Sequence, residues 1–193
     1  MAGQNIVKPT AESLLASVNA TEKGKGLPPV HLWNPPFCGD LDMHIARDGT
    51  WFYQGTPIGR PGLVRLFSSI LKKEDDKYFL VTPVEKVGIT VEDAPFVAQD
   101  FDQVGDDLRF MTHVGDSATA GPDNPIRVAR DPDTGEPRPY VLIRTNLEAL
   151  IDRKSFYRLV DLGEEDTIDG TPWFGVRSKG AFFPIIPAAE LIE

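Results

Sequence analysis

The sequence has one cysteine among its 193 residues, Cys38, so no disulfide can form within it and the chain suits a reducing compartment. It contains no run of about 18 apolar residues, the length a membrane-spanning helix needs. Its most apolar stretch, Ala181 to Ala189, is interrupted by Pro184 and Pro187, so no membrane span is expected. Met1 to Val7 lack the apolar core of a secretion signal, and the early cluster of Leu14, Leu15 and Val18 is broken by Ser13, Ser17 and Asn19. A cytoplasmic location follows as the expectation. Basic residues are scarce: 20 stand against 29 acidic ones, for a net charge of −9. Such a balance repels nucleic acid and anionic lipid, so general nucleic-acid binding is not expected. The patterns CxxC, HExxH, GxxxxGK[ST] and GxGxxG and the EF-hand are also missing, so no metal, cofactor or catalytic residue is assigned.

What is present is a chain with 41% apolar residues, long enough to bury roughly 70% of the surface its unfolded form exposes. Thr10 can cap a short helix with Glu12 in its first turn, and Glu22 to Pro29 reads as a linker, so residues 1–30 form an arm. Leu41, Met43 and Ile45 alternate with polar residues, Asp48-Gly49 supplies a turn, and Trp51 and Tyr53 return, which predicts a hairpin. Pro61-Gly62 opens a helix with Leu63, Phe67, Ile70 and Leu71 on one face, ended by Asp75-Asp76; Tyr78 to Val81 is a buried strand. Val87 to Val91, Phe96 to Phe101 and Leu108 to Val114 predict a β-meander, and Gly115 to Pro125 a small-residue loop.

Val128-Ala129-Arg130-Asp131 then echoes Ile45-Ala46-Arg47-Asp48, and a turn through Pro132 to Pro137 leads into Tyr140 to Arg144. A helix capped by Asn146 with Leu147, Leu150 and Ile151 inward, and a strand over Phe156 to Val160, complete the echo; two strands from Asp169 to Phe174 and Ala181 to Phe183 follow. The expected fold class is therefore α+β: two units, each an antiparallel sheet with a packed helix, related by internal duplication. The units are placed at 31–84 and 85–193.

Several groups can carry chemistry. Asp40, Asp42 and His44 share one strand face and can hold a divalent metal, against the plain alternative of the solvent side of an edge strand. Cys38 with His31 or His44 has the components of a thiol nucleophile, yet a lone cysteine is more often a small buried hydrophobe. His113, beside Arg109 and Met111 on a strand, reads as structural. From Arg60 to Lys73 lie four cations, Arg60, Arg65, Lys72 and Lys73, with no acid between them. With the amides of a helix start they can meet a phosphate or carboxylate; a solvated helix face is the alternative. Glu92-Asp93 can perform acid–base work, accept a ligand's hydroxyls, or cap a turn. Trp33, Trp51 and Trp173 read as packing, with ring stacking on a flat ligand as the minority role.

The segments Trp33-Asn34-Pro35, Cys38-Gly39-Asp40, Asp48-Gly49-Thr50-Trp51, Gly55-Thr56-Pro57-Ile58, Tyr78 to Lys86 and Val91 to Phe96 resemble the bacterial family called domain of unknown function 1285. The likeness runs through nearly the whole chain after the arm. It implies two α+β units, the second superficially like a pleckstrin-homology fold, with a cleft between them for a nucleotide-like ligand and a role in signalling. It supplies no catalytic residue. It does place Thr82 to Lys86 as the crossover between units.

The combined expectation is a non-enzymatic sensor of a small anionic ligand: Arg60, Arg65 and Lys72 meet its charge, Thr82 and Glu85 hydrogen-bond it, Trp51 stacks, and Glu92 and Asp93 lie near. A metal-assisted hydrolase using Asp40, Asp42 and His44, and a protein-interaction module docking through sheet edges, are the alternatives.

Overall fold

The computed structural model describes residues 8–21 and 26–192, so the expectations for Met1 to Val7 and for Glu22 to Lys25 lie outside the described residues. The chain divides into two compact units, one through Glu92 and the other from Asp93.

The first unit begins with α1 (Ala11–Thr21). Thr10 Oγ1 accepts the amide of Ser13 at 3.1 Å and Ser13 Oγ accepts the amide of Thr10 at 3.2 Å, a reciprocal cap that fixes the helix start. α1 buries Leu14 and Val18. A short 3-10 turn, Val30–Leu32, precedes the sheet. Its strands are β1 (Phe37–Ile45), β2 (Trp51–Tyr53), β3 (Thr56–Pro57), β4 (Leu71–Glu74), β5 (Lys77–Val81) and β6 (Lys86–Val91), with α2 (Pro61–Ser69) between β3 and β4. The expected β1–β2 hairpin forms, pairing Met43 with Tyr53 and Ile45 with Trp51. Gly49 takes φ 89° at its turn, a conformation open to glycine without a side-chain penalty. Trp51 and Phe67, both fully buried, stack with ring centroids 6.3 Å apart and tie α2 to the sheet. Full burial of each such side chain contributes about 1.5–3 kcal/mol.

The second unit contains β7 (Phe96–Val104), β8 (Asp107–Thr112), β9 (Ser117–Thr119), β10 (Ile126–Arg130), β11 (Pro137–Arg144) and β12 (Leu147–Ile151) in one sheet. α3 (Arg153–Asp161) follows, then a three-stranded sheet of β13 (Glu164–Ile168), β14 (Thr171–Ser178) and β15 (Ala181–Pro187).

The two six-stranded sheets share one topology. The first runs β3-β2-β1-β6-β5-β4; the second, taken from its β9 edge, runs β9-β8-β7-β12-β11-β10. In each, a three-strand antiparallel meander leads and another closes the sheet, and a parallel contact joins the first strand to the last, β1 with β6 and β7 with β12. The sheets are therefore mixed at their centres rather than wholly antiparallel. β1's counterpart is β7, so the sequence echo between Ile45–Asp48 and Val128–Asp131 aligns strands that are not equivalent. The helices are not equivalent either: α2 lies between β3 and β4, whereas α3 comes after β12.

Several expectations change. Leu147 to Ile151 form β12, not a helix, because the buried set is Leu147, Ala149 and Ile151, a period of two. The helix starts later, capped by Asp152, whose Oδ1 accepts the Ser155 amide at 2.8 Å, and Phe156 to Val160 lie inside α3, not on a strand. α2 stops at Ser69, so Leu71 to Glu74 pair with β5 and Asp75-Asp76 is a hairpin turn rather than a helix end. The Gly115 to Pro125 loop contains β9. A division after Val84 was expected; β6 instead hydrogen-bonds to β1 and β5, and the compact units part at Glu92 and Asp93.

Candidate functional site

Arg60 is the backbone N-cap of α2 and makes no side-chain cap, and Pro61 occupies the first turn. The sequence places no acid between Arg60 and Lys73, and α2 accordingly carries none in its first turn. Arg60 and Arg65 are exposed, and among the described residues neither lies within salt-bridge distance of a carboxylate. In the second unit Arg127, Arg130, Arg138, Arg144, Arg158 and Arg177 each pair with an Asp or Glu.

The two lysines of the expected cationic face belong elsewhere. Lys72 and Lys73 are on β4; Lys72 Nζ donates to the Trp33 carbonyl at 3.3 Å and sits 3.2 Å from Glu74, while Lys73 lies over the Tyr78 ring. Glu74 is also held by Lys86 at 2.9 Å, and these two ammonium groups pull its carboxyl below the usual range, Lys86 most strongly. Lys72 is thus neutralised within its own strand neighbourhood.

Thr82 is fully buried and spends its hydroxyl on its own turn, accepting the amides of Val84 at 3.3 Å and Glu85 at 3.1 Å. Glu85 is half-buried beside α1; burial pushes its carboxyl up, against a weaker opposing bond from Ser13 Oγ at 3.4 Å. Trp51 is 1% exposed, so a ligand in solvent does not meet its ring.

Asp40, Asp42 and His44 line β1 as the alternation predicts, but β1 is a central strand between β2 and β6, not an edge. His44 stacks flat on Phe52 at 4.6 Å, with Nε2 4.0 Å from Glu92. Among the described residues no three His, Cys, Asp or Glu side chains come together to hold a metal. Cys38 is half-buried and its thiol donates to the Pro36 carbonyl at 3.4 Å. His113 Nδ1 accepts the Val97 amide at 3.2 Å, a structural bond within the second unit.

Glu92 and Asp93, adjacent in sequence, serve different units. Glu92 Oε2 accepts the Arg47 amide at 3.0 Å, closing the β1 end. Asp93 Oδ1 accepts the hydroxyl of Tyr140 at 2.7 Å, and Asp93 Oδ2 is shut from solvent with no hydrogen-bond partner among the described residues. Around this pair the sequence reading missed a cluster. The Arg127 guanidinium lies 4.3 Å over the Tyr140 ring and grips Glu148 with two bonds of 2.7 Å. Burial, reinforced by the bond to Asp93, pushes the Tyr140 phenol up to about 12. The signal for it was the cross-strand register of β10, β11 and β12, which sets Arg127 beside Tyr140 and Tyr140 beside Leu150.

What the geometry defines is an α+β protein of two units built on one repeated six-strand topology, with Arg60 and Arg65 exposed at the start of α2. Residues 28–94 match the description "Domain of unknown function (DUF1285), N-terminal domain" and residues 95–185 match "Protein of unknown function (DUF1285), C-terminal domain", and the chain belongs to the DUF1285 family. It is similar to the solved structure of a DUF1285 family protein from Silicibacter pomeroyi DSS-3, with 66% identity over 93% of this chain and 98% of that one and a TM-score of 0.84. A DUF1285 family protein from Shewanella baltica OS155 is 30% identical over 63% of this chain and 91% of that one, with a TM-score of 0.51. No protein of curated function matches. Among the described residues no helix is long and apolar enough to cross a membrane.

Proposed function

We propose that the protein is a regulatory or sensor module whose first unit takes a small anionic ligand, nucleotide-like in its phosphate chemistry, at the open end of α2, with the bound state serving as a signal. Arg60 and Arg65 supply the charge; a guanidinium offers paired donors that fit phosphate or carboxylate geometry.

The observation that supports this reading is the pair of exposed guanidiniums at the start of α2. In a chain of net charge −9, six arginines of the second unit are bound to carboxylates; among the described residues Arg47, Arg109, Arg153, Arg60 and Arg65 have none within salt-bridge distance, and of these Arg60 and Arg65 sit together at the first turns of one helix. Lys72, Thr82 and Trp51 are occupied by internal contacts and are not assigned ligand roles. Two surface guanidiniums give modest, salt-sensitive affinity, in the micromolar to millimolar range of a reversible signal.

The test is a thermal-shift panel of ATP, ADP, cyclic AMP and inorganic pyrophosphate against the full chain and its Arg60→Ala/Arg65→Ala variant. A ligand favouring the folded state raises the melting temperature. The expected result is a rise with at least one phosphate compound, abolished in the double variant and weakened by salt. No rise at several millimolar, or an equal rise in both proteins, overturns the reading.

A further inference from the structure

We propose that the second unit carries a site of its own for a small, uncharged and mainly apolar molecule, in the cavity between α3 and the adjoining ends of β11 and β12. This goes beyond the anion reading and is independent of it, since every residue involved belongs to the other unit.

The cavity has a volume of about 380 Å³, inside the range of about 300–1,000 Å³ typical of ligand pockets. Its walls are the side chains of Pro137, Pro139, Leu150, Phe156 and Tyr157. Chain order explains why these converge. β11 and β12 are antiparallel neighbours, pairing Tyr140 with Leu150, and α3 leaves the end of β12 after a single capping residue, so its first turns fold back beside the start of β11.

Tyr157 is the telling member of the wall. It is 57% exposed, and Arg153 orients its ring, with Nε donating to the hydroxyl at 3.1 Å and the guanidinium 5.9 Å over the ring. An aromatic wall fixed before binding loses little side-chain freedom when a ligand arrives. A second cavity of about 190 Å³ shares Pro137 and Phe156 and is lined further by Val160, Phe174, Ile185 and Ile186, so apolar surface continues past Phe156.

The charges decide the ligand class. Arg138 and Arg153 face the cavity, and so do Glu136 and Asp152. Arg138 is already paired with Asp131, Asp152 is committed to capping α3, and the four charges sum to zero. A charged ligand would have to shed its hydration without a net opposite charge to receive it, whereas a neutral one gains from apolar burial alone. Planar aromatic or alicyclic molecules with one hydrogen-bonding edge fit these walls.

The neutral dye Nile red provides the probe, with the full chain, Tyr157→Ala, and Leu150→Trp to fill the cavity. The expected result is saturable one-site fluorescence that is insensitive to salt, weakened roughly tenfold or more by Tyr157→Ala, a loss of about 1.4 kcal/mol, and abolished by Leu150→Trp. Arg60→Ala/Arg65→Ala leaves it unchanged, which separates this site from the one on the first unit. Because Tyr157 is exposed, its variant retains the fold, and an unaltered melting temperature confirms this. Absence of saturable binding, binding unaltered by Tyr157→Ala, or tighter binding of the anionic dye anilinonaphthalene sulfonate than of Nile red overturns the proposal.

Discussion

Tyr140 donates its hydroxyl hydrogen to Asp93 Oδ1 across 2.7 Å while its ring, only 5% exposed, lies under the guanidinium of Arg127 at 4.3 Å. The phenol is raised from its ordinary 10.0 to about 12 because burial and the neighbouring carboxylate both disfavour phenolate. A raised folded value means the stabilisation is complete below pH 10 and is lost as pH climbs from 10.0 to about 12, where the unfolded chain releases the proton and the folded one does not.

Tyr140→Phe therefore removes the hydroxyl donor to a carboxylate whose other oxygen is sealed from solvent and, among the described residues, has no partner. A loss of about 1–3 kcal/mol in denaturant unfolding near neutral pH is expected. The variant also loses the stability step between pH 10.0 and about 12; if that step persists in unfolding curves of the variant, another group produces it.

Glu85 provides the opposite experiment. Burial raises its carboxyl above the ordinary 4.5, so its protonated form suits the fold and the ionised form is penalised. Its contribution is fully present below the ordinary value and is lost as pH rises through the raised one. Glu85→Gln keeps an acceptor for Ser13 and removes the ionisation. Its melting temperature is expected to exceed that of the wild type at neutral pH, with the gap closing in acid. A gap independent of pH would mean that ionisation of Glu85 carries no penalty.

Gly175 is required by a close approach within the three-stranded sheet. A Cβ there would stand 2.2 Å from the Phe183 carbonyl oxygen and 2.9 Å from its carbon, both backbone atoms that cannot swing aside. The position is also a register shift between β14 and β15. Gly175→Ala is expected to destabilise the protein by at least about 1–3 kcal/mol, as overpacking does. Chemical denaturation checks this, and a neutral result would show that the strand pair parts easily.

Much of the fold was legible because strands with one wet face write their burial into the sequence. Leu41, Met43 and Ile45 are buried while Asp40 and Asp42 are exposed, as their alternation implies. Where apolar residues fell at spacings common to both periods, the reading failed: Leu147, Leu150 and Ile151 fit a helix, but Ala149 completed a strand. The two-unit repeat was right as a class, but the elements that suggested it were not the equivalent ones: Ile45–Asp48 and Val128–Asp131 fall on strands that do not correspond, and the helices stand at different places in the two units. For the site, exposed charge was readable and its partners were not. Lys72 looked free until Glu74, two residues along β4, proved to be its partner, and Thr82 looked like a ligand contact until its turn consumed the hydroxyl. The Tyr140 cluster depends on strand register, which no local pattern reveals.

Capture of a small anion by Arg60 and Arg65 of the first unit is read out by amide-shift NMR while inorganic pyrophosphate and then ADP are titrated into the full chain. Saturable shifts centred on the first turns of α2 are expected, with a dissociation constant below about 1 mM, and they disappear in Arg60→Ala/Arg65→Ala while the rest of the spectrum is preserved. Shifts that do not saturate, or that survive unchanged in the double variant, would contradict it.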